Sequence, residues 1–539
     1  MVLSMTADQT VSSQPGSERF WQMLKLGLGL VLFLILLLMP TPSGMTVEAQ
    51  RLLAITALMA SYWIMEPIPI PVTSLIPLAL YPLFNILPAG KVSRAYGDPV
   101  IYLFLGGFLL ALGIERWNLH RRIALHVLSR VGSSPRRMIF GFMLATGLLS
   151  MWISNTATTL MMLPIGLALM STLHESLKQT SPENADETIR KLTIPVLLSI
   201  AYAASASGVS TYVGTPTNMV FRGYWQQEFV SQGYPDVTFA EWMLVFIPMS
   251  AAMLVIVGIV MSWGLKPLPN ADQLTSKFFR NQLQELGKMS SAEWKAGLLF
   301  ALTALLWVFR ESVIYDGRTI IIGWPDLLIW IAAQAGTDLS YLSKTVSDST
   351  IAIFMAALLF VLPGNRTAHE RPRLLTWKEA ERGVPWGMLL LFGGGFAMAD
   401  AFGTTQLSGW LGENFQGWIA GYSQLAVTMI VCTWVTVMTE FTSNTATANM
   451  LMPILSAVAQ QLQMDPRLLL IPATISSSYG FMMPVGTPPN AIVIGTGKVP
   501  VRAMLAYGFI LNVLGIFCVS LFTWYIGAAV MRIPLPGGG

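Results

Sequence analysis

The chain has 539 residues, 54% of them hydrophobic and only 11% charged, with a mean hydropathy of +0.59. Soluble globular chains carry roughly 25% charged residues, so this composition excludes that class and indicates a protein that crosses a membrane many times. The formal net charge of +4 makes no case for a nucleic-acid partner, and Cys432 and Cys518 lie in apolar segments with neither a disulfide framework nor metal-ligand spacing.

A polar tail, residues 1–19, leads into the first apolar block, about 20–39. It is long enough to span and has no convincing small-residue cleavage site, so it is read as a retained first span. Further spans are expected near 50–65, 70–88, 99–115, 192–222, 240–265, 292–309, 348–363, 384–402, 466–497 and 503–531. Residues 117–131 have helical apolar spacing with basic residues. They read either as an amphipathic helix on the membrane surface or as an ordinary loop helix. Residues 310–347, with Asp316, Asp326 and Asp338 among apolar neighbours, are expected to form an outer connection.

Two more apolar stretches, 137–171 and 424–463, are each long enough for two half-helices but are broken in the middle by Ser-Asn-Thr. They read as re-entrant hairpins, whose tips are tolerated at membrane depth only where buried in protein or facing water. The basic clusters Arg116, Arg121, Arg122, Arg130, Arg136, Arg137, then Lys266, Lys277, Arg280, Lys288, then Arg366, Arg371, Arg373, Lys378, Arg382 all fall inside if the N-terminus is cytoplasmic. Residues 403–424, expected outside, have no Lys or Arg. The positive-inside rule then brings the first hairpin in from the cytoplasm and the second from the outer side.

Ser-Asn-Thr-Ala-Thr occurs twice, at 154–158 and 443–447, 289 positions apart. Gly106-Gly107-Phe108 precedes the first copy and Gly394-Gly395-Phe396 the second. Met162–Ile165 and Leu451–Ile454 follow them, and then come Val213-Gly214-Thr215-Pro216-Thr217-Asn218 and Val485-Gly486-Thr487-Pro488-Pro489-Asn490. Five spans separate equivalent points, so the halves are expected to be inverted. Inverted repeats with broken helices at matching positions are a pointer to secondary transporters.

The motifs suit that chemistry. Ser, Asn and Thr start helices, and helix N-termini attract anions. Amides and hydroxyls donate to carboxylate or sulfate oxygens, while carbonyls unwound by Gly and Pro coordinate hard cations such as sodium. A single buried Ser-Asn-Thr is more often a cap, and a lone Gly-Thr-Pro a kink. The ordered duplication of both favours a transport site. No Arg adjoins either motif, so helix ends and bound cations would balance a dianion. Glu440 precedes the second copy, where the first has Met151; it either helps to bind a cation or proton or faces water, and Asp400 is a similar case.

These paired motifs resemble the divalent anion/sodium symporter family, the dicarboxylate, citrate and sulfate carriers of the ion transporter superfamily, over about 20–531. The resemblance implies an all-α polytopic membrane protein with eleven transmembrane helices plus two re-entrant hairpins, a homodimer, and an elevator movement of a transport domain against a scaffold. On the chain that partition reads as a cytoplasmic tail (1–19), scaffold (20–136), transport domain (137–265), cytoplasmic loop and scaffold (266–423) and transport domain (424–539). Carried over residue by residue, one sodium site takes Ser150, Ser154, Asn155 and Gly214, and the other takes Thr439, Thr442, Asn444 and Gly486. Where some members have alanine at the positions of Thr442 and Gly486, the contact is through the backbone carbonyl. Substrate carboxylates meet Asn155, Thr156, Thr215, Asn444, Thr445 and Thr487, with Pro488 shaping the pocket. Thr217 departs from the commoner second proline, and the large soluble insertion of many sulfate-type relatives is missing.

The expectation is a multi-pass carrier of the bacterial inner membrane that moves C4-dicarboxylates (succinate, malate, fumarate) with sodium ions and uses no organic cofactor. The alternatives are a sodium-independent dicarboxylate/2-oxoglutarate exchanger and a citrate or sulfate carrier of the same fold. An intramembrane enzyme or channel is the alternative from another class, and no catalytic dyad, acid pair or metal cluster speaks for it.

Overall fold

A computed structural model describes residues 16–131, 134–180, 182–265, 271–315, 318–365, 372–419 and 421–535. Most of the N-terminal tail, together with Lys266, Asp316, Arg366 and Arg371, lies outside the described residues. The described chain is helical except for one antiparallel pair of short strands, Val313–Tyr315 and Arg318–Ile321, inside the expected outer connection. Among the described residues eight helices are long and apolar enough to cross a membrane, and shorter apolar helical segments (70–83, Asp348–Val361, Gln424–Thr439, Arg467–Ser477) accompany them.

One expected span differs. The stretch 70–88 is not one continuous helix but two short ones, Ile70–Thr73 and Ile76–Leu83. Pro77 opens the second, and Pro82 lies inside it. Proline lacks the N–H that would continue the helical ladder.

Both apolar stretches with Ser-Asn-Thr fold as helix–turn–helix hairpins. The first has arms Pro135–Ser150 and Asn155–Thr180, and the second Gln424–Thr439 and Asn444–Gln461. The first arms start on Ser134, which accepts from Arg137 N at 3.4 Å, and on Ser423, which accepts from Ala426 N at 3.3 Å. Ser154 caps the second arm of its hairpin, accepting from Ala157 N at 3.2 Å. Ser443 holds the same position, but its side chain makes no capping bond.

Each hairpin is followed by a broken helix. The first runs Ala185–Gly208, unwinds, and resumes as Pro216–Tyr224; the second runs Arg467–Ser477, unwinds, and resumes as Pro488–Gly495. The restarts share one backbone geometry: Thr215 has φ −140° and ψ 142°, Thr487 φ −141° and ψ 146°. Proline directly after an extended residue is the favoured way to begin a helix. Buried carboxamides tie down both unwound segments. Asn218 Nδ2 donates to Val209 O (3.2 Å) and Thr211 O (2.7 Å), and Asn490 Nδ2 to Gly480 O (2.9 Å) and Met483 O (3.0 Å). These motif asparagines are therefore fasteners of the backbone.

The halves interlock by exchange. Pro216–Tyr224 packs on the second arm of the second hairpin, Pro488–Gly495 on the second arm of the first, and helices Phe239–Ser262 and Val501–Leu521 meet each other. The Gly-Gly-Phe repeats serve close approach. A Cβ at Gly106 would lie 2.6 Å from Ala352 Cβ, and one at Gly394 would lie 2.7 Å from Ser74 O. Small residues permit such contacts where lipid supplies no hydrophobic drive between helices.

Helix Leu119–Val131 turns Leu119, Ala124, Leu125 and Leu128 inward and packs on the first hairpin and on helix Ala271–Glu285. Arg122 grips Glu293 through Nε at 3.1 Å and Nη2 at 3.2 Å. The protein, not only the membrane surface, covers its apolar face.

A buried ion network, not foreseen from sequence, joins the first broken helix to its neighbours. Arg222, 1% exposed, pairs with Asp236 at 2.7 Å and Asp348 at 3.4 Å, and Asp348 also takes Arg310 Nε at 2.6 Å. Asp348→Ala leaves two buried guanidinium groups short of a partner. It is expected to destabilise the fold by about 3 kcal/mol, read as a lower thermal unfolding midpoint of the purified protein. An unchanged midpoint would show that the network adds nothing to stability.

Candidate functional site

At the tip of the first hairpin, Ser150 Oγ lies 2.7 Å from Asn155 Oδ1 and 2.9 Å from Ala204 O at the end of the broken helix. Thr211 donates its hydroxyl to Met151 O and accepts from Gly214 N at 3.2 Å, which folds the unwound segment against the tip. Gly208 and Gly214 are needed for this approach. A Cβ at Gly208 would collide with Asn155 Oδ1, and one at Gly214 with Gly208 O.

The second tip repeats the arrangement. Thr439 Oγ1 lies 2.7 Å from Asn444 Oδ1 and 2.6 Å from Ser477 O. The same pattern, a hydroxyl at one position, an amide five residues on and a carbonyl from the end of the broken helix, arises twice from different residues. The Asn444 amide satisfies its neighbours with its nitrogen toward Gly486 O, Ser477 O and Thr439 Oγ1, at 2.8, 3.0 and 2.7 Å, since the reverse orientation would set its oxygen against acceptors only. That closes the cluster without an ion; a hard cation would suit the reverse, all-oxygen arrangement. The one hydroxyl proton on Thr439 then goes to Ser477 O. No ion pair among the described residues involves these groups.

The remaining expected cation contacts are less alike. Ser154 is half-buried and occupied as a cap. Thr442 Oγ1 is bonded to Met438 O at 2.9 Å and to Thr447 Oγ1 at 2.6 Å, which leaves its backbone as the freer donor set.

The expected anion contacts stand at helix starts. Thr156 and Thr445 lie in the first turns of the hairpins' second arms, half-buried and buried respectively. Thr215 and Thr487 are buried residues at the starts of the resumed helices, and neither side chain makes a capping bond. Thr487 Oγ1 is buried and has no hydrogen-bond partner, a condition it shares with Thr146, Thr158, Ser250 and other buried hydroxyls of the described chain. Pro488 and Val485 are both exposed.

The two broken helices are joined directly. Thr217 Oγ1 meets Ser478 Oγ at 2.7 Å, next to the Ser477 carbonyl of the second cluster. The departure from a second proline thus leaves the restart intact, since the helix still begins at Pro216, and adds a cross-repeat bond that proline could not make. Glu440 does not face water. It is 3% exposed, and its carboxylate accepts from Met482 N (2.9 Å), Met483 N (2.8 Å) and Asn512 Nδ2 (2.6 Å). Asp400 is half-buried beside Gln227, Glu228 and Lys91.

The family described as sodium:sulfate symporter transmembrane region matches residues 19–531. The sodium-dependent dicarboxylate transporter SdcS of Staphylococcus saprophyticus is 38% identical over 505 residues, covering 92% of this chain and 90% of that protein. SdcS of Staphylococcus aureus (strain USA300) is 37% identical over the same length and coverage. Among solved structures, the YdaH transporter of Alcanivorax borkumensis aligns with a TM-score of 0.51 at 12% identity, covering 96% of this chain and 98% of that one. MtrF of Neisseria gonorrhoeae aligns with the same score and identity, covering 97% of its own chain. At that identity the two structures speak for the fold alone.

Proposed function

From the premise that the chain belongs to the sodium:sulfate symporter transmembrane family, we propose that it is a secondary transporter carrying C4-dicarboxylates such as succinate, malate and fumarate together with sodium ions. The observation that carries this reading is the doubled polar cluster, built around Asn155 and Asn444 at the tips of two hairpins, whose accompanying broken helices are bonded to each other through Thr217 and Ser478. The names of the staphylococcal relatives support both the substrate class and the coupling ion.

In this reading Ser150, Ser154, Asn155 and the Gly214 carbonyl hold one sodium ion; Thr439, Asn444 and the carbonyls of Thr442 and Gly486 hold the other. Asn155 and Asn444 are shared, each turning its carbonyl to the cation and its amide nitrogen to the substrate. Thr156, Thr215, Thr445 and Thr487 donate to the two carboxylates, and the positive ends of four helices face the same anion. Sodium supplies the charge that lets a dianion enter an apolar surrounding. No arginine is needed at the site, since Arg222 is committed to Asp236 and Asp348.

Residues 137–265 and 424–539 form the moving transport domain, and 20–136 with 266–423 the scaffold, in a homodimer of the bacterial inner membrane with its N-terminus in the cytoplasm. The exchange packing of broken helices and hairpins supports reading the first unit as a single body.

The test is uptake of radiolabelled succinate by proteoliposomes with sodium replaced by choline. Uptake is expected to fall to background, roughly the hundredfold loss that follows when a dianion must enter without its counter-charge. Undiminished uptake into vesicles preloaded with dicarboxylate would overturn sodium coupling in favour of exchange. Excess citrate or sulfate in the same assay would expose a different preferred anion.

A further inference from the structure

Glu440 is a feature of the second hairpin that the symmetry of the repeat does not explain. Its carboxylate is buried, and no ion pair among the described residues includes it. Three neutral N–H donors hold it: Met482 N and Asn512 Nδ2 on Oε1, and Met483 N on Oε2. Neutral donors fix a carboxylate's position but do not cancel its charge, and an uncompensated charge away from water is costly.

The charge sits directly behind the second oxygen cluster. Glu440 follows Thr439 in the chain, and a Cβ built on Gly486 would come within 3.0 Å of Glu440 Oε2. Gly486 contributes the carbonyl that faces Asn444. The two methionine amides belong to the unwound segment that begins at Ser478 and ends at Thr487, so the carboxylate also sets the path of the backbone presenting that carbonyl. The first cluster has nothing equivalent. Met151 stands at the matching position, and what it offers there is a backbone carbonyl, taken by the Thr211 hydroxyl.

We propose that Glu440 is the fixed counter-charge of the second cation site: a positioning residue that makes this site the tighter of the two for sodium without itself being a ligand. The proposal rests on the sodium-coupled reading above and deepens it by making the two sites unequal. A negative charge held a few ångströms behind a cation, shielded from water, attracts it far more strongly than the same charge in solution would. The second hairpin therefore fills at sodium concentrations at which the first is still empty.

The test uses the purified full-length protein and two readouts: the thermal stabilisation given by sodium chloride against choline chloride at constant ionic strength without substrate, and the sodium dependence of succinate uptake. Glu440→Gln removes the charge and nearly preserves the shape. It is expected to raise the sodium concentration for half-maximal stabilisation at least about tenfold, with the same shift in uptake and little change in succinate KM at saturating sodium. Glu440→Asp keeps the charge and is expected to stay within about threefold of wild type.

A Gln variant that melts earlier but keeps the wild-type sodium midpoint would overturn the proposal, since the carboxylate would then be a tether only. If Glu440→Gln does not fold, Asn512→Ala decides, because it removes a tether and leaves the charge. A midpoint within about threefold of wild type supports the charge, whereas a tenfold shift means that the tether sets the affinity. Should the wild-type protein show neither sodium stabilisation nor sodium-dependent uptake, the sodium reading itself fails; a sodium-dependent wild type with an indifferent Gln variant removes this inference alone.

Discussion

Asn155→Ala and Asn444→Ala are each expected to lower sodium-driven succinate uptake by at least about tenfold while leaving the protein folded. Each substitution removes the amide around which a cluster is built, and losing one partner in a buried polar site costs about 1–3 kcal/mol, where 1.4 kcal/mol is a factor of ten. The fold survives because the neighbouring hydroxyls keep their other acceptors: Ser150 still reaches Ala204 O at 2.9 Å and Thr439 still reaches Ser477 O at 2.6 Å. Uptake by proteoliposomes and the thermal midpoint of the same preparations separate the two effects. Normal transport by both variants would make the duplicated motif a structural cap and end the site assignment.

Gly214→Ala and Gly486→Ala occupy matching positions of the repeat, and the structure separates them. A Cβ at Gly214 collides with Gly208 O and comes to 2.8 Å from Met151 O, both backbone atoms of segments packed on every side. One at Gly486 meets Glu440 Oε2 at 3.0 Å and Met483 O at 3.4 Å, a tight fit that small shifts relieve. Overpacking of the first kind costs about 1–3 kcal/mol, and a displacement of about 1 Å at a binding site loses roughly a hundredfold in rate. Gly214→Ala is therefore expected to bring uptake close to background. Gly486→Ala is expected to keep at least about a third of it, the loss that follows from a strain below about 1 kcal/mol. Equal effects in the same uptake assay would show that these contacts do not shape the site.

Much of this was legible before any coordinates. The hairpins follow from a polar pentapeptide placed mid-way along an apolar stretch, and the restarts at Pro216 and Pro488 follow from proline after an extended threonine. The span expected over 70–88 is divided because Pro77 lacks the N–H that would carry the helical ladder past Ser74 and Leu75, which hydropathy does not register. Glu440 was visible as an intramembrane acid, but its partners lie 42, 43 and 72 positions away along the chain, beyond any local pattern. Arg222 was passed over because its partners come from other segments, Asp236 from the loop before one helix and Asp348 from the start of another. The asparagines of the Gly-Thr-Pro-x-Asn segments carried a signal in their repetition, yet only their bonds to Val209, Thr211, Gly480 and Met483 carbonyls separate a fastener from a ligand contact.

What the sequence by itself determined is the membrane class, the family, the two hairpins and the two broken helices, because caps, prolines and apolar run lengths act within a few residues of themselves. What only the tertiary structure decided is the exchange: each resumed helix packs on the hairpin of the other half, the Thr217 and Ser478 hydroxyls join across 261 positions, and one cluster alone has a buried carboxylate behind it. Two halves that carry the same motifs can pack each on itself or each on the other, and local propensity is the same in both cases. The choice lies in close contacts between distant small residues and in which buried polar groups find partners, and both exist only once the chain is packed.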